Sequence, residues 1–429
     1  MNLLLVAAKL IRKSNLKLLA VLLFLSLGRA SVYGEAQPLP AVTDPLAGMG
    51  VNIHFTDAKP GDLEMLAQAG FRWIRMDLFW AATEKARGVY DFSAYDRLLA
   101  SLDKFHIRAV FILDYTNGLY DKLAPHTDDD RAAFARWAVA AVTHFKGRGV
   151  IWEIWNEPNG SWFWKPTVNA DDYAKLTLTA SQAIRQAAPD ELIVGPALSG
   201  TDMKFVDVVA KTGVLASWSG ITLHPYRRTG PETVGPAYNQ AREFIKKYAS
   251  PGQRIDVMCG EWGYSTAWPQ INETTQARYL ARLLLFDVMS GVPLTIWYDW
   301  HDDGPKRNDQ ESNFGIVHHE YHSGGTQVYD PKPSYDAAQT YSRELKDFRF
   351  KERLKTASGD DFVLSFTKDG TECLVAWTTA PTPHPIKIPL PDGEYTATSY
   401  DGKSQTEVTA SAGVAALQLD GGPQYLKRK

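Results

Sequence analysis

Two glutamates end apolar runs that are typical of buried strands. Glu157 ends residues 151–157, Ile-Trp-Glu-Ile-Trp-Asn-Glu, and Glu261 ends residues 256–261, Asp-Val-Met-Cys-Gly-Glu. The stretch between them has room for two or three strand–helix units. Two carboxyl groups that meet at one site can serve as acid/base and nucleophile, the pair that a retaining glycosidase needs. The two motifs therefore predict cleavage of a glycosidic bond.

The elements that must position these glutamates alternate between strand and helix. Eight alternations over about 300 residues favour an α/β fold, a closed (β/α)₈ TIM barrel, whose active site lies at the carboxyl ends of the strands. An open doubly wound sheet is the alternative, but its glycine-rich first turn is not visible. The predicted strands are 49–55, 71–76, 107–114, 150–156, 192–195, 221–224, 255–260 and 292–300. The predicted helices are 62–70, 92–106, one that begins at 128, 169–188, 202–211, 236–248, 274–289 and 335–346.

Local sequence around the glutamates predicts how they are held. Pro158 biases Glu157 towards extended backbone, so we expect Glu157 to end the fourth strand. Gly260 and Gly263 allow the backbone to approach closely around Glu261. Glu153 shares the strand parity of Glu157 but lies about 13 Å deeper. We therefore expect Glu153 to pair with a buried arginine of the barrel.

The two ends of the chain differ from this repeating centre. Residues 1–34 have a basic start, a short apolar run and small residues, which predicts a signal peptide, with an uncleaved anchor as the alternative. Residues 35–47 are predicted to be a linker and 48–347 the catalytic domain. Residues 348–429 show short alternating runs separated by Asp-Gly turns, which predicts a small antiparallel β-sandwich domain. That domain serves either packing or carbohydrate binding.

Composition narrows the partners and the compartment. Net charge is −3, and no basic run lies beyond the N-terminus, so no nucleic-acid partner is expected. Export would place the protein in the periplasm or outside the cell, without a stable membrane span after signal cleavage. The cysteines, Cys259 and Cys373, are predicted to be buried free thiols, and the protein is expected to be a monomer. Aromatic residues make up 12% of the chain, so both core packing and sugar stacking are open to them.

Four short motifs in the barrel together resemble those of clan A glycoside hydrolases. The likeness is greatest to family 39, which includes endoglycosidases of bacterial exopolysaccharide operons, and it covers residues 48–345. It implies a (β/α)₈ barrel and a retaining mechanism that needs neither a metal nor another cofactor. The motifs are Trp-Asn-Glu-Pro-Asn at 155–159, Phe-Trp-Lys-Pro at 163–166, His-Pro-Tyr at 224–226 and Glu-Trp-Gly at 261–263.

The resemblance also implies a role for individual residues. Glu157 would be the acid/base and Glu261 the nucleophile. Asn156 would hydrogen-bond the sugar 2-hydroxyl, a contact that strengthens in the transition state. The remaining residues would shape the site: Tyr226 by holding the nucleophile, His224 by lining the floor, Arg75 by placing a positive charge near Glu261, Trp297 by stacking beneath the sugar, and Trp164 and Trp162 by extending the groove.

Several of these side chains have a plainer alternative. Arg75 could instead be the partner of Glu153, and Trp162, Trp268 and Trp300 could equally pack within loops. His54 and Asp114 end strands and could contact sugar hydroxyls or cap loop backbone. His318, His319 and His322 with Asp302 and Asp303 do not match a standard metal site, and the long polar loop 300–333 is predicted to be a solvated lid.

The sequence thus predicts a retaining hydrolase of O-glycosidic bonds, endo-acting on a β-linked exopolysaccharide. A glycan-binding barrel without activity and a transglycosylase are the alternatives. Family 39 also contains exo-acting xylosidases and uronidases, so the resemblance leaves the sugar, the linkage and the position of the cut open. Residue-level likeness to family 5 of the same clan leaves the family number open as well.

Overall fold

The computed structural model describes residues 39–429, so the predicted signal peptide and the start of the predicted linker lie outside the described residues. The described part of that linker packs against the protein. Phe350 N donates to Thr43 O at 2.7 Å, and Tyr341 Oη donates to Pro45 O at 2.8 Å. Among residues 39–429, no helix combines the length and the apolarity that crossing a membrane requires.

Parallel strands form a closed barrel with the neighbour order β1-β10-β9-β8-β7-β6-β5-β2, which confirms the predicted barrel. Two antiparallel pairs, β3–β4 and β11–β12, lie in the connecting loops. The strands before residue 332 are β1 (Met49–Asn52), β2 (Trp73–Phe79), β3 (Glu84–Ala86), β4 (Val89–Tyr90), β5 (Arg108–Asp114), β6 (Ile151–Ile154), β7 (Leu192–Ser199), β8 (Gly220–His224), β9 (Asp256–Trp262), β10 (Thr295–Trp297), β11 (Val317–Tyr321) and β12 (Tyr329–Pro331).

Helices alternate with the barrel strands, and polar residues mark where several of them begin. Thr127 Oγ1 accepts a hydrogen bond from Asp130 N at 3.1 Å, and three aspartates in that first turn complement the helix dipole. Asn169 and Asn272 cap two further helices in the same way. The described helices are α1 (Asp62–Gln68), α2 (Trp80–Thr83), α3 (Ser93–Asp103), α4 (Asp128–His144), α5 (Ala170–Ala187), α6 (Met203–Ala210), α7 (Gly235–Tyr248), α8 (Glu273–Met289) and α9 (Pro333–Glu344).

The barrel interior changes from apolar to charged along the strands. Its apolar layer consists of Trp73, Val110, Ile151, Val194, Met258, Leu294 and Ile296. Two residues beyond Trp73 and Ile151, with the same parity, lie Arg75 and Glu153, both fully buried. Arg75 Nε donates to Glu153 Oε2 at 2.7 Å, so the predicted pairing of Glu153 with a barrel arginine is confirmed. The apolar layer therefore closes the end of the barrel where the strands begin, and the polar groups lie towards the carboxyl ends of the strands.

Residues after 348 form an eight-stranded antiparallel sheet of order β13-β14-β15-β20-β17-β18-β19-β16. β14 and β15 share a core with the distant strands β16 and β19, so the sheet folds back on itself as a sandwich. Asp369 and Gly370, both with positive φ, make the tight turn predicted between β14 and β15. The strands are β13 (Arg349–Arg353), β14 (Asp361–Lys368), β15 (Thr371–Thr378), β16 (His384–Pro389), β17 (Gly393–Ser399), β18 (Gln405–Ser411), β19 (Val414–Leu419) and β20 (Gln424–Arg428).

The outer face of this sheet packs against the barrel, and residues 39–429 belong to one compact unit. Phe362 stacks on Trp377 and makes an edge contact with Phe286 of α8. Trp377 Nε1 donates to Glu232 Oε1 at 2.8 Å, and Arg282 of α8 grips both oxygens of that carboxylate at 2.6 and 2.7 Å. The sheet therefore serves at least as a packing partner of the barrel. No described contact bears on carbohydrate binding by it.

Two arginines of α8 allow the strength of this interface to be measured. We expect Arg282→Met to lower the free energy of unfolding by about 3 kcal/mol, because it leaves the buried carboxylate of Glu232 without a charge partner. Arg278 pairs with Asp420 at 3.0 Å in a half-exposed position, so Arg278→Met should cost under about 1 kcal/mol. Urea unfolding followed by circular dichroism measures both. Equal losses of unfolding free energy in the two variants would show that the buried Arg282–Glu232 pair contributes no more than the half-exposed Arg278–Asp420 pair.

Candidate active site

Glu157 and Glu261 meet at the carboxyl ends of the fourth and seventh barrel strands. Glu157 lies three residues beyond β6, and Glu261 is the penultimate residue of β9. A carboxylate oxygen of one lies within 4.8 Å of an oxygen of the other. Both line a cavity of about 650 Å³, within the usual size of a small-molecule site. Its other lining residues are Asn52, His54, Arg75, Asp77, Ile112, Tyr115, Asn156, Trp162, Phe163, Ser199, Tyr226, Trp268, Tyr298, Gln310, Glu311 and Phe314.

The backbone at Glu157 is left-handed, with φ of 46°, so the prediction of an extended Glu157 at the strand end was wrong. β6 stops at Ile154, and Trp155 is already left-handed with φ of 66°. Glu157 N donates to Ala197 O at 3.0 Å and Trp155 N to Leu113 O at 3.0 Å. These bonds to neighbouring strands hold a conformation that costs about 1–3 kcal/mol for a residue other than glycine. The turn directs the Glu157 carboxyl into the cavity.

Arg75 connects the charged interior to the cavity. Besides Glu153, its guanidinium donates through Nη1 to Glu261 Oε2 at 2.6 Å and through Nη2 to Asn156 Oδ1 at 2.8 Å. Burial lowers the pKa of Arg75, but Glu153 and Glu261 raise it more, so the guanidinium stays charged. The two roles considered for Arg75, partner of Glu153 and positive charge beside Glu261, are both present.

Glu261 has a hydrogen-bond donor on each carboxylate oxygen. Arg75 binds Oε2, and Tyr226 Oη donates to Oε1 at 2.8 Å. Burial, followed by the charge of Glu261, raises the pKa of Tyr226 well above its usual value, so the phenol keeps its proton and acts as donor. Donors on both oxygens fix the orientation of the Glu261 carboxylate.

His224 lies beneath both carboxylates and is fully buried. Its Nε2 faces Arg75 Nη2 at 3.4 Å, and because the arginine can only donate, Nε2 accepts. The ring proton is then on Nδ1, which donates to Glu157 Oε1 at 3.0 Å. Burial raises the pKa of Glu157, but His224, Ser199 and Arg75 lower it more, so its pKa is lowered in the free protein.

Two glycines lie in close packing around Glu261. A Cβ on Gly260 would lie 3.3 Å from both Glu153 Oε1 and His224 Nε2. A Cβ on Gly263 would lie 1.8 Å from Tyr298 O, which no backbone could tolerate. The predicted close approach at these glycines is confirmed.

Two predicted tryptophans do not line the cavity. Trp297 is 1% exposed and belongs to the core between strands and helices, because the neighbouring Ile296 points into the barrel. The next residue, Tyr298, reaches the cavity instead. Trp164 is 2% exposed, with its ring 5.1 Å from Trp155 and 5.7 Å from Tyr173. Both expectations of substrate contact, by Trp297 and by Trp164, are therefore wrong.

Aromatic side chains instead flank the two carboxylates on either side. Near Glu157 lie Tyr115, Phe163 and Trp162, which we call the Glu157-side aromatics; Tyr115 and Phe163 are stacked at 6.0 Å. Trp162 is 84% exposed, unusual for so large an apolar ring. The Glu261-side aromatics are Tyr226, Trp268, Tyr298 and Phe314, with ring centroids 5.2–6.5 Å apart.

Other predicted candidates lie in varied places. His54 lines the cavity, with Nε2 3.5 Å from Asp299, whereas Asp114 is fully buried behind it. Trp300 is buried and donates to Asp62 Oδ1 at 2.6 Å. Sequence reasoning did not identify Asp77 or Glu311, which also line the cavity. In the sequence, Asp77 could have been noticed as a polar residue in the continued strand β2. No sequence feature marks Glu311 as a cavity residue.

The histidines of loop 300–333 do not converge on one point within the described residues. His318 lies 3.4 Å from Asp302, whose other oxygen accepts from the buried Lys332 at 2.5 Å. Lys332 therefore already supplies the positive charge beside Asp302. The loop also contains β11 and β12, so it is more ordered than the predicted lid.

Comparisons with known proteins agree with this geometry. Residues 42–304 match the family model of cellulases, glycosyl hydrolase family 5. A β-xylosidase from Geobacillus stearothermophilus is 27% identical over 176 residues. That match covers 34% of this chain, and the chain spans about a third, 34%, of the relative's length.

Solved structures extend the likeness over nearly the whole chain. A family 39 glycoside hydrolase from Bacteroides cellulosilyticus superposes with a TM-score of 0.77 at 25% identity, covering 92% of this chain and 83% of that one. A family 39 β-xylosidase from Caulobacter crescentus gives a TM-score of 0.66 at 19% identity, covering 92% and 98%. At that lower identity the likeness shows the fold alone.

Proposed function

Because the chain belongs to the cellulase family of glycosyl hydrolases, family 5, we propose that it is a retaining hydrolase of O-glycosidic bonds. Within clan A its fold is most like that of the family 39 enzymes. The observation that carries the proposal is the pair Glu157 and Glu261, whose oxygens approach within 4.8 Å. Retaining enzymes hold their two carboxyl groups about 5–5.5 Å apart, whereas inverting enzymes need a wider gap that admits a water molecule.

The contacts of the two glutamates suit different halves of a double displacement. Glu261, held by hydrogen bonds from Arg75 and Tyr226, would attack the anomeric carbon, while Glu157 protonates the departing glycosidic oxygen. The resulting glycosyl ester would then be cleaved by water, from which Glu157 removes the proton. Asn156, whose Oδ1 is held by Arg75, lines the cavity, and its Nδ2 carries two N–H groups, one of which could donate to a sugar hydroxyl.

The lowered pKa of Glu157 fits the second half of this cycle, in which the ionised carboxylate acts as base. The first half needs the protonated form. Burial is the largest influence on this group and favours the proton. A glycan that fills the cavity would remove the remaining water from Glu157 and so strengthen that influence.

We further propose that the substrate is a β-linked polysaccharide cut at internal bonds by an exported, monomeric enzyme. The support for internal cleavage is that aromatic rings flank both carboxylates, since sugars stack on aromatic faces on either side of the bond being cut. The support for export is the basic and apolar pattern of residues 1–34.

Product analysis tests this proposal. We would incubate the protein with a panel of β-linked and biofilm-derived polysaccharides and record the anomeric configuration of the first products by NMR. Products that retain the β configuration, with viscosity falling faster than reducing ends appear, are expected. First products of inverted configuration would overturn the retaining mechanism, and release of monosaccharide alone would overturn internal cleavage.

The exposed Trp162 gives a more local prediction. We expect Trp162→Ala to lower kcat/KM on the polysaccharide about 10- to 100-fold, because a stacking surface beside Glu157 is lost. Hydrolysis of an aryl glycoside, which occupies only the sugar site at the reacting bond and a small leaving-group site, should change less than about twofold. Val414→Ala in the C-terminal sheet is the control for an exposed apolar side chain. Equal losses on both substrates would show that Trp162 serves the fold and not a polymer site.

A further inference from the structure

The charged side chains that line the cavity are mainly acidic. Four are carboxylates, Asp77, Glu157, Glu261 and Glu311, and the only guanidinium among the lining residues is that of Arg75. Arg75 is already shared between Glu261 and Glu153, which lies directly beneath the cavity. The reaction itself accounts for Glu157 and Glu261. Asp77 and Glu311 are left without a catalytic task.

Glu311 lies on a short helical turn of the loop after β10, beside the Glu261-side aromatics. Its described side-chain hydrogen bond comes from a neutral group, Tyr298 Oη, at 3.3 Å. Burial, followed by the charges of Asp303, Glu261 and Asp309, raises the pKa of Glu311. Glu311 is exposed and lines the cavity, so its carboxylate is accessible to whatever occupies the cavity.

Asp77 extends the same negative field across the cavity floor. Asp114, fully buried behind Asp77, has its pKa raised well above the usual range by burial and by the charge of Asp77. Asp77 lines the cavity and Asp114 does not, so the carboxylate of Asp77 is the one that faces the cavity. Among the residues that line the cavity, the positive groups are Arg75 and His54, and His54 pairs with Asp299 at 3.5 Å.

We infer that the cavity selects against glycans whose sugars carry carboxylates and accepts neutral or amino sugars, with Glu311 as the specificity-determining residue. The inference rests on the proposed function for the identity of the site. A carboxylate placed beside Glu311 would meet a second like charge, and Arg75 and His54, the positive groups of the lining, are already paired with carboxylates. A hydroxyl or an ammonium group could instead donate to the Glu311 oxygens, since ionised carboxylates only accept hydrogen bonds. Substrates of the uronate class are thereby excluded.

Equilibrium binding tests this inference without requiring turnover. We would measure the affinity of the full chain for three β-1,4-linked oligosaccharides of equal length: a neutral glucan, an amino-sugar oligomer and a uronate oligomer. The neutral or the amino ligand is expected to bind at least about tenfold more tightly than the uronate. Raising the salt from about 20 mM to about 500 mM should narrow that ratio, because salt screens repulsion.

A matched pair of variants assigns the selection to one residue. Glu311→Gln keeps the shape of the side chain and removes its charge. It should lower the ratio of neutral-glycan affinity to uronate affinity at least about threefold, because uronate binding improves. Glu320→Gln, an exposed carboxylate outside the cavity lining, should leave the ratio unchanged. Equal or tighter binding of the uronate, no binding of the neutral and amino ligands, or an unchanged ratio in Glu311→Gln would overturn the inference. Weaker binding of the uronate without hydrolysis of any glycan would contradict the proposed hydrolase function but not this inference.

Discussion

Replacing Glu261 by glutamine is expected to lower kcat/KM on any glycan substrate by at least about 10⁴-fold, about 5.4 kcal/mol of transition-state stabilisation. The amide has nearly the same shape as the carboxylate but cannot form the glycosyl ester. The fold should survive, since Arg75 keeps its bonds to Glu153 and Asn156. Initial rates of reducing-end release, with unfolding curves for both proteins, measure the effect. Activity within tenfold of the parent would exclude Glu261 as nucleophile.

Glu157→Gln provides the matched comparison, because its effect should depend on the leaving group. A poor leaving group needs the proton that Glu157 donates, so polysaccharide cleavage should fall about 10²- to 10⁴-fold. An aryl glycoside with an acidic phenol leaves without that proton, and its first step should be nearly unaffected. Loss of the ester-forming step to the same extent for both substrates would contradict the division of roles between Glu157 and Glu261.

Arg75→Met is expected to destabilise the protein by about 3–5 kcal/mol. The change leaves Glu153 buried and charged without its partner, and Glu153 Oε1 already has no hydrogen-bond partner. The double variant Arg75→Met with Glu153→Leu removes both charges and should recover most of that loss. Urea unfolding of the two single variants and the double variant measures the coupling between the residues.

Activity separates the structural role of Arg75 from its effect on the site. In the double variant Glu261 has lost its Nη1 donor at 2.6 Å and Asn156 its Nη2 donor at 2.8 Å. We therefore expect kcat/KM to stay about 10²- to 10³-fold below the parent even where stability is restored. A double variant that hydrolyses as fast as the parent would show that Arg75 only neutralises Glu153.

Periodicity predicted the barrel well because each strand is a short apolar run and four of the nine described helices begin at a capping residue. Periodicity could not determine whether the last residue of a strand faces the barrel interior or the surrounding helices. Trp297 and Tyr298 differ by one position, and strand alternation sends one to the helix layer and the other to the cavity. Periodicity is equally unable to determine which loop side chains reach the cavity. Trp162 and Trp164 are two residues apart, and only Trp162 reaches it.

Backbone conformation at Glu157 was mispredicted for a different reason. Pro158 favours extended geometry in its predecessor, but the hydrogen bond from Glu157 N to Ala197 O selects a left-handed turn. Ala197 belongs to the next barrel strand, so the deciding contact is tertiary. In the C-terminal domain the alternating runs at 361–367, 371–377, 386–390, 395–400 and 414–419 predict five of the eight strands. The other three, β13, β18 and β20, were missed because charged and polar residues interrupt their alternation.

The position of β20 has a consequence for how the protein is made. β20 comprises Gln424–Arg428, yet it lies in the middle of its sheet, between β15 and β17. The halves on either side of it cannot join until Gln424–Arg428 have left the ribosome, so the sheet must form after residues 349–423 have been synthesised. A truncation before Gln424 would remove a central strand from the sheet.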